Sequence, residues 1–144
     1  KYFKRVTSST YSLLKGRSDE FSCSFRTAEF YLTAAEAAAR LGHTTDAINY
    51  LTPLMAKRLN TSAYEATTAL IGTMTEEELI QEILDERARE LAFEGHRWYD
   101  LRRTSQPALT RVYDGTTYTL LPEQYTMRFP SEAVEANPEI ERWQ

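Results

Sequence analysis

Cysteine is almost absent from this chain, and no stretch of it is apolar enough to lie in a membrane. The one cysteine, Cys23, excludes an intrachain disulfide and a cysteine metal cluster, and we expect it to be a small buried residue. No segment approaches the roughly 18 consecutive apolar residues of a membrane span, and residues 1–5 are not a signal peptide. The net charge of -4 at pH 7 lacks the clustered basic excess of proteins that bind nucleic acid or anionic membranes.

The length of 144 residues predicts a single domain, residues 1–144, with its own core. Nine Tyr, six Phe and two Trp are more aromatic residues than a core of this size needs, so we expect some of them at the surface. Exposed tyrosines serve either ligand contact or ordinary amphipathic packing, and composition does not choose between the two.

Residues 86–103, ERARELAFEGHRWYDLRR, are the most informative stretch, because more than half of them are charged or histidine and yet they alternate with apolar residues. Intervals of three and four place ionisable and apolar side chains on one helical stripe, formed by Ile80, Ile83, Leu84, Arg87, Leu91 and Glu94. A charge buried alone is costly, whereas paired carboxylates and guanidiniums offset the cost. The pattern predicts an internal charge network in which Arg87 and Arg97 are the cations. The expected acids are Glu90, Glu94 and Asp100.

Two helices are predicted first in the segment 26–103. One spans about residues 27–41, is rich in alanine and stops before Gly42. Its inward-facing residues are expected to be Tyr31, Ala34, Ala35, Ala38 and Leu41. The other spans about residues 45–59 and turns inward Ala47, Ile48, Leu51, Met55 and Leu59. Pro53 predicts a bend or a break in the second helix. The short connection and the small Ala47 indicate a tetratricopeptide-type hairpin, which must stack on further helices.

A second pair of helices is predicted after a loop. Residues 60–74 are polar, carry a weak Ser62/Glu65 capping pattern and are expected to be a long loop. Thr75 and Glu78 form a capping box that begins a helix running to about residue 94. Gly95 ends this helix, and a shorter one covers residues 96–103.

The segments outside the helices differ in character. Residues 1–25 are expected to be an irregular lead-in with short β-leaning pieces, such as residues 21–25. Asp114-Gly115, between β-branched and aromatic residues, predicts a β-hairpin within the segment 104–144. From Pro122 onward, the prolines and an Asn137-Pro138 turn predict an extended tail that wraps the helices.

Charged residues of the segment 86–103 also suggest catalytic or metal sites. Glu86, Glu90 and Glu94 share one helical face with His96 nearby, like the carboxylate metal sites of helix bundles. The Glu-x-x-His pairs of such sites are lacking, and the interleaved arginines favour ion pairing, so we expect no metal and no cofactor. His96 lacks a Ser or Cys partner and is expected to be partly buried at a helix start, while His43 faces solvent. The same ion pairing disfavours the acid pair of a glycosidase.

Aromatic residues offer rings on which a sugar stacks. Trp98 is the most attractive of them, but its spacing of three from Leu101 favours a core position. Exposure is instead expected for the aromatic residues of the hairpin and tail, which are Tyr113, Tyr118, Tyr125 and Trp143.

Three blocks, in order, resemble the SusD/RagB family of nutrient-binding outer-membrane lipoproteins of the Bacteroidetes. The pattern ER.REL.FEG.RW.DLRR, within residues 86–103, resembles the family's C-terminal signature. Residues 26–32, RTAEFYL, with residues 34–37, AAEA, lie upstream of it, and Phe129-Pro130 to Glu132 with Asn137-Pro138 lie downstream. The last block has Arg128-Phe129-Pro130 where the family usually has Pro-Ile-Pro. The resemblance covers about residues 24–140, and it covers only the end of a family whose members are several times longer.

The resemblance implies a mainly α fold of stacked tetratricopeptide-like helical hairpins, with a small β-hairpin and an extended tail. It implies a non-catalytic protein of the outer membrane, surface-exposed, that captures oligosaccharide or another nutrient for a SusC-like TonB-dependent transporter. It also implies a lipid anchor upstream of Lys1. Because the family's ligand surface draws on more N-terminal segments, we assign no ligand-binding residue and expect residues 1–144 alone to bind glycans weakly.

Two other classes stay open at this stage. A helical-repeat module would bind a protein or peptide in its groove without any sugar. A carbohydrate-active enzyme would need an acid pair upstream of these residues.

Overall fold

A computed structural model describes residues 3–5, 11–13, 26–126, 129–137 and 139. The chain divides into two compact units, Lys1–Asp100 and Leu101–Gln144, and each is described by itself. The prediction of a single domain stays a prediction. Cys23, Trp143 and the β-leaning residues 21–25 lie outside the described residues.

The first unit begins with a short antiparallel pair of strands. β1 (Phe3–Arg5) pairs with β2 (Tyr11–Leu13), with Phe3 opposite Leu13. Residues 1–25 are predicted to be an irregular lead-in with short β-leaning pieces, and these six residues form strands. Three-residue strands carry too little alternation to be recognised from the sequence.

The next two helices form the predicted hairpin. α1 (Thr27–Arg40) is followed by its cap Leu41 and then by Gly42, whose φ of 74° suits a residue without a side chain. The Gly42 N–H donates to the Ala39 carbonyl at 3.0 Å, and the His43 N–H donates to the Ala38 carbonyl at 2.9 Å. These two bonds form a Schellman motif, which turns the chain directly into α2 (Thr44–Ala56).

The core of this unit lies between α1, α2 and the later helix Glu76–Glu90. Its fully buried apolar members include Leu32, Ala35, Ala39, Ala47, Leu51, Met55, Leu79 and Ile83. Burying one leucine side chain contributes roughly 1.5–3 kcal/mol. The predicted inward faces are right for Ala35, Ala38, Ala47, Leu51 and Met55. They are wrong for Tyr31, because the real stripe of α1 follows Leu32. They are also wrong for Leu41 and Leu59, which lie beyond the ends of α1 and α2 and are exposed.

Pro53 does not break α2, contrary to one of the two predicted outcomes. The helix continues through Pro53 to Ala56. The proline removes one backbone donor near the end of the helix, and the buried Leu54 and Met55 hold the last turn against the core. The Thr52 hydroxyl donates to the Ile48 carbonyl at 2.9 Å in the turn before it.

Residues 60–74 form mainly a helix rather than the predicted loop. α3 (Thr61–Ile71) begins after Asn60, whose side-chain oxygen accepts from the Ala63 N–H at 2.9 Å. The cap is therefore Asn60 and not the Ser62/Glu65 pair. Ile71 is buried and Tyr64 packs on the core, so two anchors seven residues apart hold an otherwise polar helix.

The fourth and fifth helices flank a sharp turn. The predicted capping box opens α4 (Glu76–Glu90): the Thr75 hydroxyl accepts from the Glu78 N–H, and the Glu78 carboxylate accepts from the Thr75 N–H. α4 ends four residues earlier than predicted. Phe93 and Gly95 have φ of 66° and 85° in the turn, and α5 (His96–Arg103) follows as predicted.

The second unit holds the predicted β-hairpin. β3 (Leu109–Tyr113) pairs with β4 (Thr116–Leu120), and Asp114 and Gly115 both have positive φ in the two-residue turn. The prediction of an extended tail is wrong at a short 3-10 helix (Pro122–Tyr125) and at α6 (Ser131–Ala136). The Asn137-Pro138 turn is not tested, because Pro138 lies outside the described residues.

The predicted fold class, mainly α with a small β-hairpin, is confirmed. Among the described helices, none combines the length and the apolar content of a membrane span.

Candidate functional site

Four charged side chains meet where α1 begins, α2 has just ended and α4 ends. We call Arg26, Arg58, Glu90 and Glu94 the Glu90 cluster. Arg58 binds Glu90 in bidentate fashion, with Nε 2.7 Å from Oε2 and Nη2 2.7 Å from Oε1. Arg26 donates to Glu90 Oε1 through Nη2, and through Nη1 to Glu94 Oε1 at 2.7 Å and to the Glu90 carbonyl at 3.0 Å. Three segments far apart in sequence are thereby tied together.

The Glu90 cluster has an inside and an outside. The carboxylates lie within, with only 2% of the Glu90 side chain and 3% of the Glu94 side chain exposed. The guanidiniums lie toward solvent, with 28% of the Arg26 side chain and 45% of the Arg58 side chain exposed. Buried acids therefore carry a shell of partly exposed cations.

The protonation of the Glu90 cluster follows from this arrangement. Burial opposes ionisation of Glu90, but the hydrogen bonds and charges of Arg58 and Arg26 outweigh it and lower the pKa of Glu90. Burial likewise opposes the charge of Arg26, and the charges of Glu94 and Glu90 outweigh it and raise the pKa of Arg26. Glu90 is therefore a carboxylate at neutral pH.

The predicted charge network is confirmed for Arg87 and wrong for Arg97. Arg87 Nε lies 3.2 Å from Asp100 Oδ2, both residues are buried, and Arg87 Nη1 lies 3.2 Å from Thr33 Oγ1. Arg97 is exposed. The cations on Glu90 and Glu94 come instead from Arg26 and Arg58, which lie 64 and 32 residues from Glu90.

Local ion pairing accounts for other acids of α4 and α1. Arg89 donates from Nε to Glu86 Oε2 at 2.8 Å. Burial opposes the charge of Arg89, but the hydrogen bonds and charges of Glu86 and Glu82 outweigh it and raise the pKa of Arg89. Arg40 Nε donates to Glu36 Oε1 at 2.9 Å. The expected pairing at spacings of three and four is confirmed for Glu86, and the spacing did not indicate the distant partners of Glu90 and Glu94.

The suggested metal grouping finds no counterpart in the part of the chain that the structure describes. No three His, Cys, Asp or Glu side chains converge there. Glu86, Glu90 and Glu94 bond arginines instead. His96 is partly buried at the start of α5, as predicted, with Nδ1 3.8 Å from Glu29 Oε1, and His43 is exposed as predicted.

The aromatic predictions divide. Tyr113 and Tyr118 are exposed as predicted. Trp98 is 38% exposed, so the core prediction is wrong: Asp100 faces Arg87, and Trp98, two residues away, lies about 200° around the helix. Tyr125 is buried and donates its hydroxyl to the Pro107 carbonyl at 2.8 Å, so the prediction of exposure is also wrong there.

A groove of about 540 Å³ opens beside the Glu90 cluster, between the start of α1 and the end of α2. Three of the described residues that line it are cationic, and its remaining described lining is small, apolar or hydroxylic. These residues are Arg26, Thr27, Ala28, Tyr31, Pro53, Leu54, Lys57 and Arg58. Sequence reasoning missed the groove, because Arg26 and Lys57 share no local motif.

The first unit thus defines a class: a scaffold of paired helices in which buried carboxylates, bonded by arginines, tie distant segments together. The SusD family model matches residues 1–141, and the chain belongs to the SusD family. SusD-like protein P38 from Formosa agariphila is 36% identical over 83 residues, which are 57% of this chain and 16% of that protein. The matched part of the chain therefore covers less than a fifth of the length of this curated relative. The family predicted from the three sequence blocks is confirmed.

Proposed function

We propose that the complete protein captures an oligosaccharide or another nutrient at the outer-membrane surface and hands it to a SusC-like TonB-dependent transporter. Membership of the SusD family, over residues 1–141, is the observation that carries this proposal. Within the whole protein, this chain acts as a helical scaffold near the C-terminus. The Glu90 cluster supports that role, because it ties α1, α2 and α4 together through Arg26 and Arg58.

The protein binds its ligand without cleaving it. A glycosidase needs a protonated carboxylic acid and a carboxylate on opposite sides of the scissile bond. Arginines keep Glu90, at the end of α4, ionised, and they also bond Glu86 in α4 and Glu94 in the turn after it. These acids serve as structural anions, which supports a binding role.

Anchoring and delivery belong to the whole protein. We propose a lipid anchor in a segment preceding Lys1 and contact with the transporter through surfaces of the assembled protein. The exposed Tyr113 and Tyr118 on the β-hairpin suit such contact, because a tyrosine combines an apolar ring with a hydroxyl. Residues 1–144 alone are expected to bind glycans with a dissociation constant of about millimolar or weaker.

Purification of the tagged full-length protein from detergent-solubilised outer membranes tests this function. We expect it to co-purify with a TonB-dependent barrel, and we expect cells lacking the protein to lose uptake of one class of glycan. Recovery from the soluble fraction with a bound protein or peptide, together with unchanged glycan uptake, would favour the helical-repeat interaction module instead. The pairing of α1 with α2 also suits such a module.

A further inference from the structure

We propose that the groove beside the Glu90 cluster is a binding subsite for the carboxylate of an acidic sugar. This inference rests on the proposed function, since it names a substrate class for a protein that captures glycans. We call the groove, with Arg26, Lys57 and Arg58 as its cationic lining, the cationic groove.

Among the described residues, cations outnumber acids at the cationic groove although its arginines are paired. Three cations, Arg26, Lys57 and Arg58, stand there against two carboxylates, Glu90 and Glu94. The carboxylates lie on the interior side, almost fully buried, and the guanidiniums lie on the groove side, partly exposed. An anion in the groove therefore meets the cations first, at shorter range than the buried acids.

Lys57 is the most available cation of the groove. It follows α2 directly, is exposed and lies beside Arg58 in the lining. In the sequence it is the one lysine after Lys15. An ammonium on a flexible stem reaches an incoming carboxylate without disturbing the Glu90 cluster, whose bonds Lys57 does not make.

The rest of the groove suits a pyranose ring. The exposed Tyr31 offers an aromatic face to the C–H bonds of a sugar, and Pro53 and Leu54 add apolar surface. The Thr27 side chain adds a hydroxyl, a donor and acceptor for sugar hydroxyls. A volume of about 540 Å³ lies within the roughly 300–1,000 Å³ of small-molecule sites. Because the charged side chains of the described lining are donors, a sugar carboxylate fits them better than a neutral hydroxymethyl group does.

Matched ligands and matched variants of the full-length protein test the proposal by calorimetry. Trigalacturonate and its methyl ester differ in charge and little in shape. We expect the acid to bind at least about fivefold more tightly than the ester, and the preference to shrink as salt is raised. Lys57→Gln should reduce the affinity for the acid about threefold to fivefold and leave that for the ester unchanged, and Arg97→Gln, which removes an exposed charge outside the groove, should change neither. Tyr31→Leu should weaken both ligands, and Tyr99→Leu should weaken neither.

A covalent readout covers the case in which a variant fails to fold. Carbodiimide activation of the bound trigalacturonate should link its carboxylate to the nearest amine, and peptide mapping should find the amide on Lys57. Equal binding of acid and ester, an unchanged affinity in Lys57→Gln, or labelling confined to other lysines overturns the proposal. A protein that binds neutral glycans but not trigalacturonate overturns only the proposed acidic-sugar subsite. A protein that binds no glycan in a broad panel contradicts the proposed function itself.

Discussion

Replacing Glu90 by glutamine removes the charge on which two arginines converge. Glu90→Gln keeps the size of the side chain but not its ability to accept the bidentate bond of Arg58 together with the bond from Arg26. Arg26 keeps Glu94, and Arg58 loses its Glu90 partner. The change therefore isolates the contribution of the central anion.

The expected loss of stability follows from how deeply the Glu90 carboxylate and its two arginines are buried. Breaking a fully buried ion pair costs about 3–5 kcal/mol. Arg26 and Arg58 are partly exposed, so water recovers part of that cost, and we expect a loss of about 2–3 kcal/mol. Glu65→Gln, on the exposed side of α3, is the matched control and should change stability by less than about 0.5 kcal/mol.

Urea denaturation of both variants beside the unmodified protein measures this difference. The midpoint of Glu90→Gln should fall at an unchanged slope, since the slope reports the surface exposed on unfolding. A loss below about 1 kcal/mol, or one no larger than that of Glu65→Gln, would refute the reasoning that Glu90 anchors the three segments.

Three further predictions concern other parts of the first unit. Arg87→Ala, which leaves the buried Asp100 without its guanidinium, should cost about 3–5 kcal/mol, while Arg97→Ala should cost less than about 0.5 kcal/mol; similar losses for both in urea would contradict the assignment. Thr75→Ala removes the cap of α4 and should cost about 1 kcal/mol in thermal unfolding, a cost that Thr75→Ser should largely restore. The pKa of Glu90 in the folded protein lies below its unfolded value near 4.3, so its contribution to stability is complete above about pH 4.3 and is lost as the pH falls through the folded pKa. Glu90→Gln should flatten that acidic part of the curve of stability against pH, and an unchanged curve would contradict the shift.

Local signals predicted the elements that local chemistry determines. Gly42 follows the end of α1, Thr75 with Glu78 opens α4, and Asp114-Gly115 makes the β-turn, because each of these features is complete within six residues. The same logic failed for α3, because Asn60 rather than Ser62 supplies the cap.

Tertiary contacts decided the features that the sequence could not. Alanines lie on several sides of α1, so the predicted inward stripe included Tyr31, whereas the real stripe follows Leu32. The buried acids of the network were anticipated, but Arg26 and Arg58 became their partners because folding brings distant segments together. Trp98 is partly exposed because Asp100 sets the rotation of α5.

Titration calorimetry of the full-length protein with a panel of neutral and acidic oligosaccharides, followed by chromatography of the recovered ligand, tests the central claim most directly. The account predicts a saturable isotherm for at least one glycan and recovery of that glycan intact. No binding across the panel, or shortened products whose formation stops in Glu90→Gln, would contradict the claim that the protein captures glycans without cleaving them and that the Glu90 cluster is structural.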